Sequence, residues 1–461
     1  MNARAVPPAD RGNRGAGNRP QPGSGIPPLD IDLRTGYEKE LSPDITPEDV
    51  PIDIGIAGPD EETYPEGGLT AWLQVVASHL LSCLAWGYAG AFGVYQTYYT
   101  ESMGLPRSQI SWIGSVQVFL TFAMCTISGR LSDAGYNRAA VGGGSALAVF
   151  GTFMTSLATE YWQIMLAQGV CTGIGLGILF MPAISVVSSY FKKRRAFALA
   201  VAATGTGTGS LAFPATVQYL IPRVGFPWAV RCAAFVALAV SVLAFVLMRP
   251  RLKPRRSGPL VEWEAFREAP YVLLTVGLFL WFWANYFGFF YIQVFAREEL
   301  GFSSTKAVEL LLITNALGMP ARPCLGYIAD NVLGPITTLI VGLCVLSLMF
   351  FSWIAVDSTA GIYVFCTFFG LTAGGTQGVF GGALSSLTKD PRKMGTRFGM
   401  VATLLGFAVL AGPPTAGAII DRSNGNYVGA QVWAGTAVAA AALMVGACRV
   451  SIVGWKLKVR V

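Results

Sequence analysis

A chain of 461 residues that is 53% hydrophobic and only 13% charged departs from soluble domains, where about 25% of residues are charged. No single soluble core of this size buries so much apolar surface. The apolar residues also come in blocks of about 20, the length that crosses a hydrocarbon layer about 30 Å thick. The formal charge of +7 sits in basic runs beside these blocks, so anionic lipid is the expected partner and nucleic acid is not.

The first 66 residues hold thirteen of the 26 acids and eleven of the 26 prolines, without an apolar period. This predicts a disordered cytoplasmic tail over 1–66 with no secretory apolar segment, so the first membrane span directs insertion. Twelve helical spans follow, near 70–98, 110–129, 139–158, 162–188, 197–219, 227–248, 270–296, 307–328, 336–356, 360–385, 398–420 and 428–449. The apolar–polar alternation of barrel strands is missing, so the predicted fold is all-α and polytopic. The predicted organisation is a six-helix bundle over 67–248, a cytoplasmic linker over 249–268, a second six-helix bundle over 269–450 and a cytoplasmic C-terminus over 451–461.

Twelve crossings place both termini on one side. The connections on that side carry twenty Lys and Arg, among them Arg138, Arg194, Arg195 and Arg397, whereas the opposite side carries six. The positive-inside rule then puts both termini in the cytoplasm of a multi-pass protein, with the plasma membrane as the expected location.

The two halves repeat. Gly129-Arg-Leu-Ser-Asp133 returns 197 residues later as Gly326-Tyr-Ile-Ala-Asp330, Met103-Gly-Leu as Leu300-Gly-Phe, and Ser188-Ser189 as Ser385-Ser386. Two bundles repeating in one orientation imply a pseudo-two-fold axis along the membrane normal and rocking about a central site. Asp133 and Asp330, with Arg138, Arg194 and Arg195 in the nearby loops, are candidate gating residues, since charge-assisted bonds there can hold one state and break in the other.

Span 8 contains Arg322, about 9 Å from its predicted cytoplasmic end at 1.5 Å per residue. A cation at that depth is costly unless it faces a wet cavity or a partner. Asn315, Gly318 and Arg322 stand at i, i+3 and i+7 on one face. Arg322 is therefore the predicted anion contact, with Asn315, Asn285, Gln377 and Trp86 as further candidate solute contacts. His79, the sole histidine, is a candidate proton carrier or a structural group bonded to a neighbouring helix.

The Gly-rich runs at 173–177 and 204–209 lack the strand and the Lys-Ser/Thr of a phosphate loop and read as helix-packing surfaces. The eight cysteines form no CxxC pair, so no disulfide framework or metal site is expected. Neither a catalytic set nor a cofactor is expected.

Gly129-x-Leu131-x-Asp133-x-Gly135-x-x-Arg138 resembles the loop 2–3 signature of the major facilitator superfamily. Glu66-Gly67-Gly68-Leu69-Thr70-Ala71-Trp72, Tyr190-Phe191-Lys192-Lys193-Arg194-Arg195 and Ala321-Arg322-Pro323 resemble segments of monocarboxylate transporters, most nearly fungal members. The resemblance implies the major facilitator fold and gives Arg322 the family's substrate-binding role. The chain departs where animal members carry a span 1 lysine (Gly90 here) and a span 8 aspartate (Gly318 here), so proton coupling does not follow from the resemblance. The leading expectation is secondary transport of a small organic solute, a monocarboxylate or related anion. Efflux of a larger fungal metabolite is the alternative, and a non-transporting nutrient sensor is the reading from another class.

Overall fold

The computed structural model describes residues 64–456 apart from 102, 104–106, 252–254, 256 and 389. The expected tail over 1–66 lies almost wholly outside the described residues.

Twelve helical crossings follow in chain order. Span 1 is Leu69–Glu101, span 2 joins Arg107–Ala123 to Cys125–Asp133, and span 3 is Asn137–Thr155. Span 4 runs through Tyr161–Ile164, the π-helical turns Met165–Thr172, and Gly173–Tyr190. Span 5 begins as Arg195–Ala203 and continues into Gly205–Leu247, whose second part is span 6. Spans 7 to 12 are Ala269–Glu298, Ser304–Ile328, Pro335–Ser352, Thr359–Ser386, Met394–Arg422 and Val428–Val453.

The boundary between spans 5 and 6 is a backbone event. Gly225 has φ 77° inside the long helical stretch, a conformation that a residue with a Cβ adopts only under strain, and Pro222 and Pro227 flank it. The neighbours show that the chain reverses there. Gly209 packs on Cys83 and Gly87 of span 1, Phe226 stacks on Tyr98 at 3.8 Å between ring centroids, and the Leu247 carbonyl accepts from Gln74 Nε2 at 3.1 Å. Span 5 therefore runs beside span 1 in the same direction, and span 6 returns against it.

Among the described residues, eight helical stretches are long and apolar enough on their own to cross a membrane. The stretch 195–247 crosses twice, and spans 3, 8 and 10 complete the twelve. Those three carry residues that dilute apolarity: Gly142, Gly143, Gly144 and Ser145 in span 3, Lys306, Glu309 and Arg322 in span 8, and the glycines between 370 and 382 in span 10. Such small residues let helix backbones approach closely in a bilayer, where helices gain no hydrophobic drive by leaving lipid for one another. Outward-facing positions keep large apolar side chains, with Leu443 71% and Phe235 54% exposed.

The halves meet along two symmetry-related seams. Span 2 packs on span 11 and span 8 packs on span 5, and exchanging the six-helix units converts one seam into the other. At the end carrying the basic loops, the linker strengthens the first seam. Arg255 N donates to the Asp133 carbonyl at 2.8 Å, Arg130 donates to the Arg255 carbonyl at 3.0 Å, and Glu262 pairs with Lys393 and Arg397 at the start of span 11. Glu268 also pairs with Arg397, whose guanidinium lies over the Tyr271 ring at 5.4 Å.

Candidate functional site: a central cavity closed at the basic end

A cavity of about 1380 Å³ lies between the halves. Its lining runs from Ser78, Leu199 and Phe398, near the basic end, to Thr100, Pro222, Glu298 and Phe302 at the far end of spans 1, 5, 7 and 8. Tyr219, Arg297 and Glu298 on that far rim are exposed, so the cavity opens away from the basic loops.

Its inner wall is aromatic. Trp86 lies 4.8 Å from Phe122 and 5.5 Å from Phe180. Phe122 meets Phe282 across the seam at 6.0 Å, Phe282 meets Phe380 at 5.7 Å, and Phe380 meets Phe398 at 5.3 Å. These edge-to-face and tilted contacts make a collar spanning both halves, a surface suited to flat conjugated ligands.

Arg322 lies in this wall, 5% exposed. Its Nη2 donates to Gln377 Oε1 at 3.0 Å and its Nε has no partner. Among the described residues no carboxylate lies within 4.0 Å of it, and the one acid lining the cavity, Glu298, is at the rim. A buried guanidinium held by an amide alone favours an incoming anion, which supplies the missing charge partner.

The other sequence candidates divide. Trp86, Asn315 and Gln377 join Arg322 in the cavity wall, with Asn315 Nδ2 donating to the Leu311 carbonyl at 3.0 Å. Asn285 is fully buried outside that lining, with neither amide atom bonded. His79 is also outside the lining. Its Nδ1 lies 3.0 Å from Thr204 Oγ1 of span 5, while Ser78 and Ser82 face the cavity instead. Ser82, Trp86 and Gly90 of the same span line the cavity as well, and His79 does not.

Asp133 and Asp330 take the same position in the two seams. Asp133 Oδ1 accepts from Gly395 N at 2.8 Å, and Oδ2 accepts from Thr396 N and Oγ1 at 2.7 and 2.6 Å. Asp330 Oδ1 and Oδ2 accept from Ala196 N at 3.1 Å and Phe197 N at 2.7 Å. In each case the acid ending one helix caps the first turn of a helix in the other half, where free N–H groups and the helix dipole favour negative charge. Burial pushes the Asp330 carboxyl up to about 6, the bonds from Phe197 and Ala196 opposing the rise.

Of the arginines expected beside these acids, Arg195 is near enough to Asp330 for their charges to interact, while the other two make their contacts elsewhere. Arg138 is exposed and lies over the Phe245 ring at 4.8 Å. The Arg194 backbone N–H points to Glu66 Oε2 at 3.4 Å, and Arg195 donates to the Phe191 carbonyl and, across the seam, to that of Ser385. Glu66 also accepts from Lys192 N and Lys193 N at 2.8 and 2.7 Å, tying the approach to span 1 onto the loop before span 5. Sequence reading missed these acceptors' partners because backbone N–H groups carry no side-chain signature.

The chain matches the family model described as Major Facilitator Superfamily over residues 76–413. It is 40% identical to an MFS-type transporter of Gibberella zeae over 86% of this chain and 88% of the relative. It is 33% identical to the aspyridones efflux protein of Emericella nidulans, covering 80% of this chain and 75% of the relative. With the fujikurins efflux protein of Gibberella fujikuroi it shares 31% identity, covering 88% of each. In three dimensions it resembles the transporter FucP in the outward conformation, with a TM-score of 0.63 at 15% identity, over 82% of this chain and 99% of FucP. Twelve crossings in two related halves, the matched sequence model and these relatives agree: the chain belongs to the Major Facilitator Superfamily.

Proposed function

We propose that the chain exports a secondary metabolite of the fungal type, a conjugated or aromatic molecule carrying an acidic group, by alternating access across the plasma membrane. The observation that carries this reading is the pairing of a large aromatic cavity with a single buried guanidinium. The volume exceeds the roughly 300–1,000 Å³ of ordinary drug-sized sites, so a small monocarboxylate leaves most of it unfilled. Relatives named as efflux proteins for aspyridones and fujikurins support the larger solute. With the basic loops in the cytoplasm, the cavity faces outward, the state from which an exporter releases its load. Arg322 then meets the acidic group, Gln377 and Asn315 flank it, and Trp86 belongs to the collar that receives the conjugated body. His79, bonded to Thr204, serves the contact between spans 1 and 5 in this reading and carries no transported proton.

Purified protein in proteoliposomes tests the reading by efflux of a labelled aromatic carboxylate and of its neutral amide counterpart. Arg322→Ala should lower carboxylate efflux at least about tenfold, in line with loss of a charge-assisted pair, and leave the amide's efflux within about twofold. Equal carboxylate efflux in the variant, with its fold intact by melting temperature, contradicts the assignment.

A further inference from the structure

The polar side chain that reaches Arg322 is neutral, and the surrounding backbone explains why. Nη2 donates to Gln377 Oε1, whereas Nη1 is turned toward Gly207 and Gly318: a Cβ at those positions would lie 3.6 and 3.8 Å from it. Position 318 has little room for a carboxylate, because a Cβ there would already stand 3.2 Å from the Gly370 carbonyl and 3.3 Å from Gly374 Cα of span 10. Gly378, next to Gln377, has no side chain where Arg322 Cα and Cβ press on span 10. Span 10 thus grips the root of Arg322 with a glycine and its head with an amide.

We propose that Gln377 is a positioning residue that keeps the inner cavity permanently cationic, so that anion binding needs no proton on the carrier. An amide oxygen fixes the guanidinium as a carboxylate would, but leaves its charge uncancelled. A carboxylate at this position would instead compete with the solute and have to be protonated or displaced before the solute could pair. This inference rests on the anionic-solute reading above.

The remaining ionisable groups leave this charge in place near neutral pH. Tyr98, Tyr219 and Tyr286 are the phenols that line the cavity. Arg297 and Glu298 are at its rim. Cys324, Lys306 and Glu309 belong to span 8 itself, Glu309 receiving a bond from Tyr363 near the outer end of span 10. Arg195, at the start of span 5, is committed to Phe191 and Ser385. His79 lies outside the cavity against Thr204.

A fluorescent aryl sulfonate separates carrier protonation from ligand protonation, since its own charge does not change in the range used. Its binding to the full chain in lipid nanodiscs is measured between about pH 5.5 and 7.5. The wild-type Kd should follow pH only as far as closure of the basic end does. Gln377→Leu, which removes the positioning bond without adding charge, should weaken binding at every pH and keep that profile. Gln377→Glu should add a loss of at least about tenfold at the upper pH that is mostly recovered at the lower, as a paired carboxylate does on protonation. The inference is overturned if wild-type affinity changes with pH more than closure does, or if Gln377→Glu keeps the wild-type profile. If wild type binds no sulfonate, or binds it equally after Arg322→Ala, the anionic-solute reading fails and takes the inference with it.

Discussion

The seam between spans 2 and 11 and the seam between spans 5 and 8 occupy equivalent places in the two halves, yet they are not equally tight. In the first, Gly129 and Gly395 pass so closely that a methyl at Gly129 would overlap the Gly395 carbonyl. Asp133, 7% exposed, takes three hydrogen bonds there, Thr126 Oγ1 meets Thr403 Oγ1 at 2.7 Å, and the linker's Glu262 and Glu268 add ion pairs. In the second, Asp330 is half-buried with two bonds. Gly326 lies against Ala196, Phe197 and Ala200, and Thr208 Oγ1 lies 3.9 Å from Met319 Sδ, a weak contact. The equivalence of the two halves supplies the plan of closure, and the side chains load it onto one seam. In the proposed transport cycle the second seam should therefore yield first when the basic end opens.

The largest effect expected from this asymmetry is at the glycine crossing. Gly129→Ala forces backbones apart and should disfavour closure of the basic end by about 1–3 kcal/mol, the range for overpacking. Gly326→Ala should cost less, because a methyl there meets the Ala200 side chain at 2.6 Å and the Ala196 carbonyl only at 3.0 Å. Reactivity of cysteines placed along the basic end reads both, and equal reactivity would erase the distinction between the seams.

Asp133→Ala comes next. Hydrogen bonds to a charged group contribute about 1.5–3 kcal/mol, so closure should weaken by about that amount, and by less in Asp330→Ala with its two bonds. The same labelling assay ranks the pair, and a larger effect at Asp330 would reverse the comparison.

Asp330 should also make its own seam pH-sensitive. Its carboxyl titrates at about 6 in the closed form, against an ordinary value near 3.9 once solvated. The closed form therefore binds the proton more tightly. The contribution to closure is fully present below about pH 4 and is lost as pH rises through about 6. Closure measured across that window should decline with rising pH in wild type and decline less steeply in Asp330→Asn. The smallest effect belongs to Thr403→Val, where loss of the contact with Thr126 should favour opening by about 0.5–1.5 kcal/mol.

What the sequence made legible follows from where the signal resides. The repeat at 197 residues and the excess of cations on one side produce the twelve-span fold, because lipid demands long apolar helices and tolerates few charges. Arg322 stood out for the same reason: it is the one cation away from span ends. Gln377 was nameable as a polar residue among glycines, but its bond to Arg322 depends on span 10 crossing span 8 at Gly374 and Gly318. That Asn285 and His79 lie outside the cavity lining was not readable, because polarity within a span does not say which face turns to the cavity. Gly288 of span 7 sits against Phe369 of span 10, and that packing fixes the rotation of span 7, leaving Asn285 inside the bundle. The seam acids were readable and their partners were not, since the groups they bind are main-chain amides whose neighbours come from another half.

Reciprocal movement at the two ends of the molecule is the most direct test. Spin labels at Tyr136 and Val332 span the basic end, and labels at Tyr219 and Val428 span the opposite rim, all four being exposed positions. Pulsed dipolar spectroscopy on wild type and Asp133→Ala in lipid should show the first distance lengthening while the second shortens. Distances that change together, or a first distance that stays fixed in a variant lacking the Asp133 cap, would contradict a cavity exposed alternately by two rocking halves.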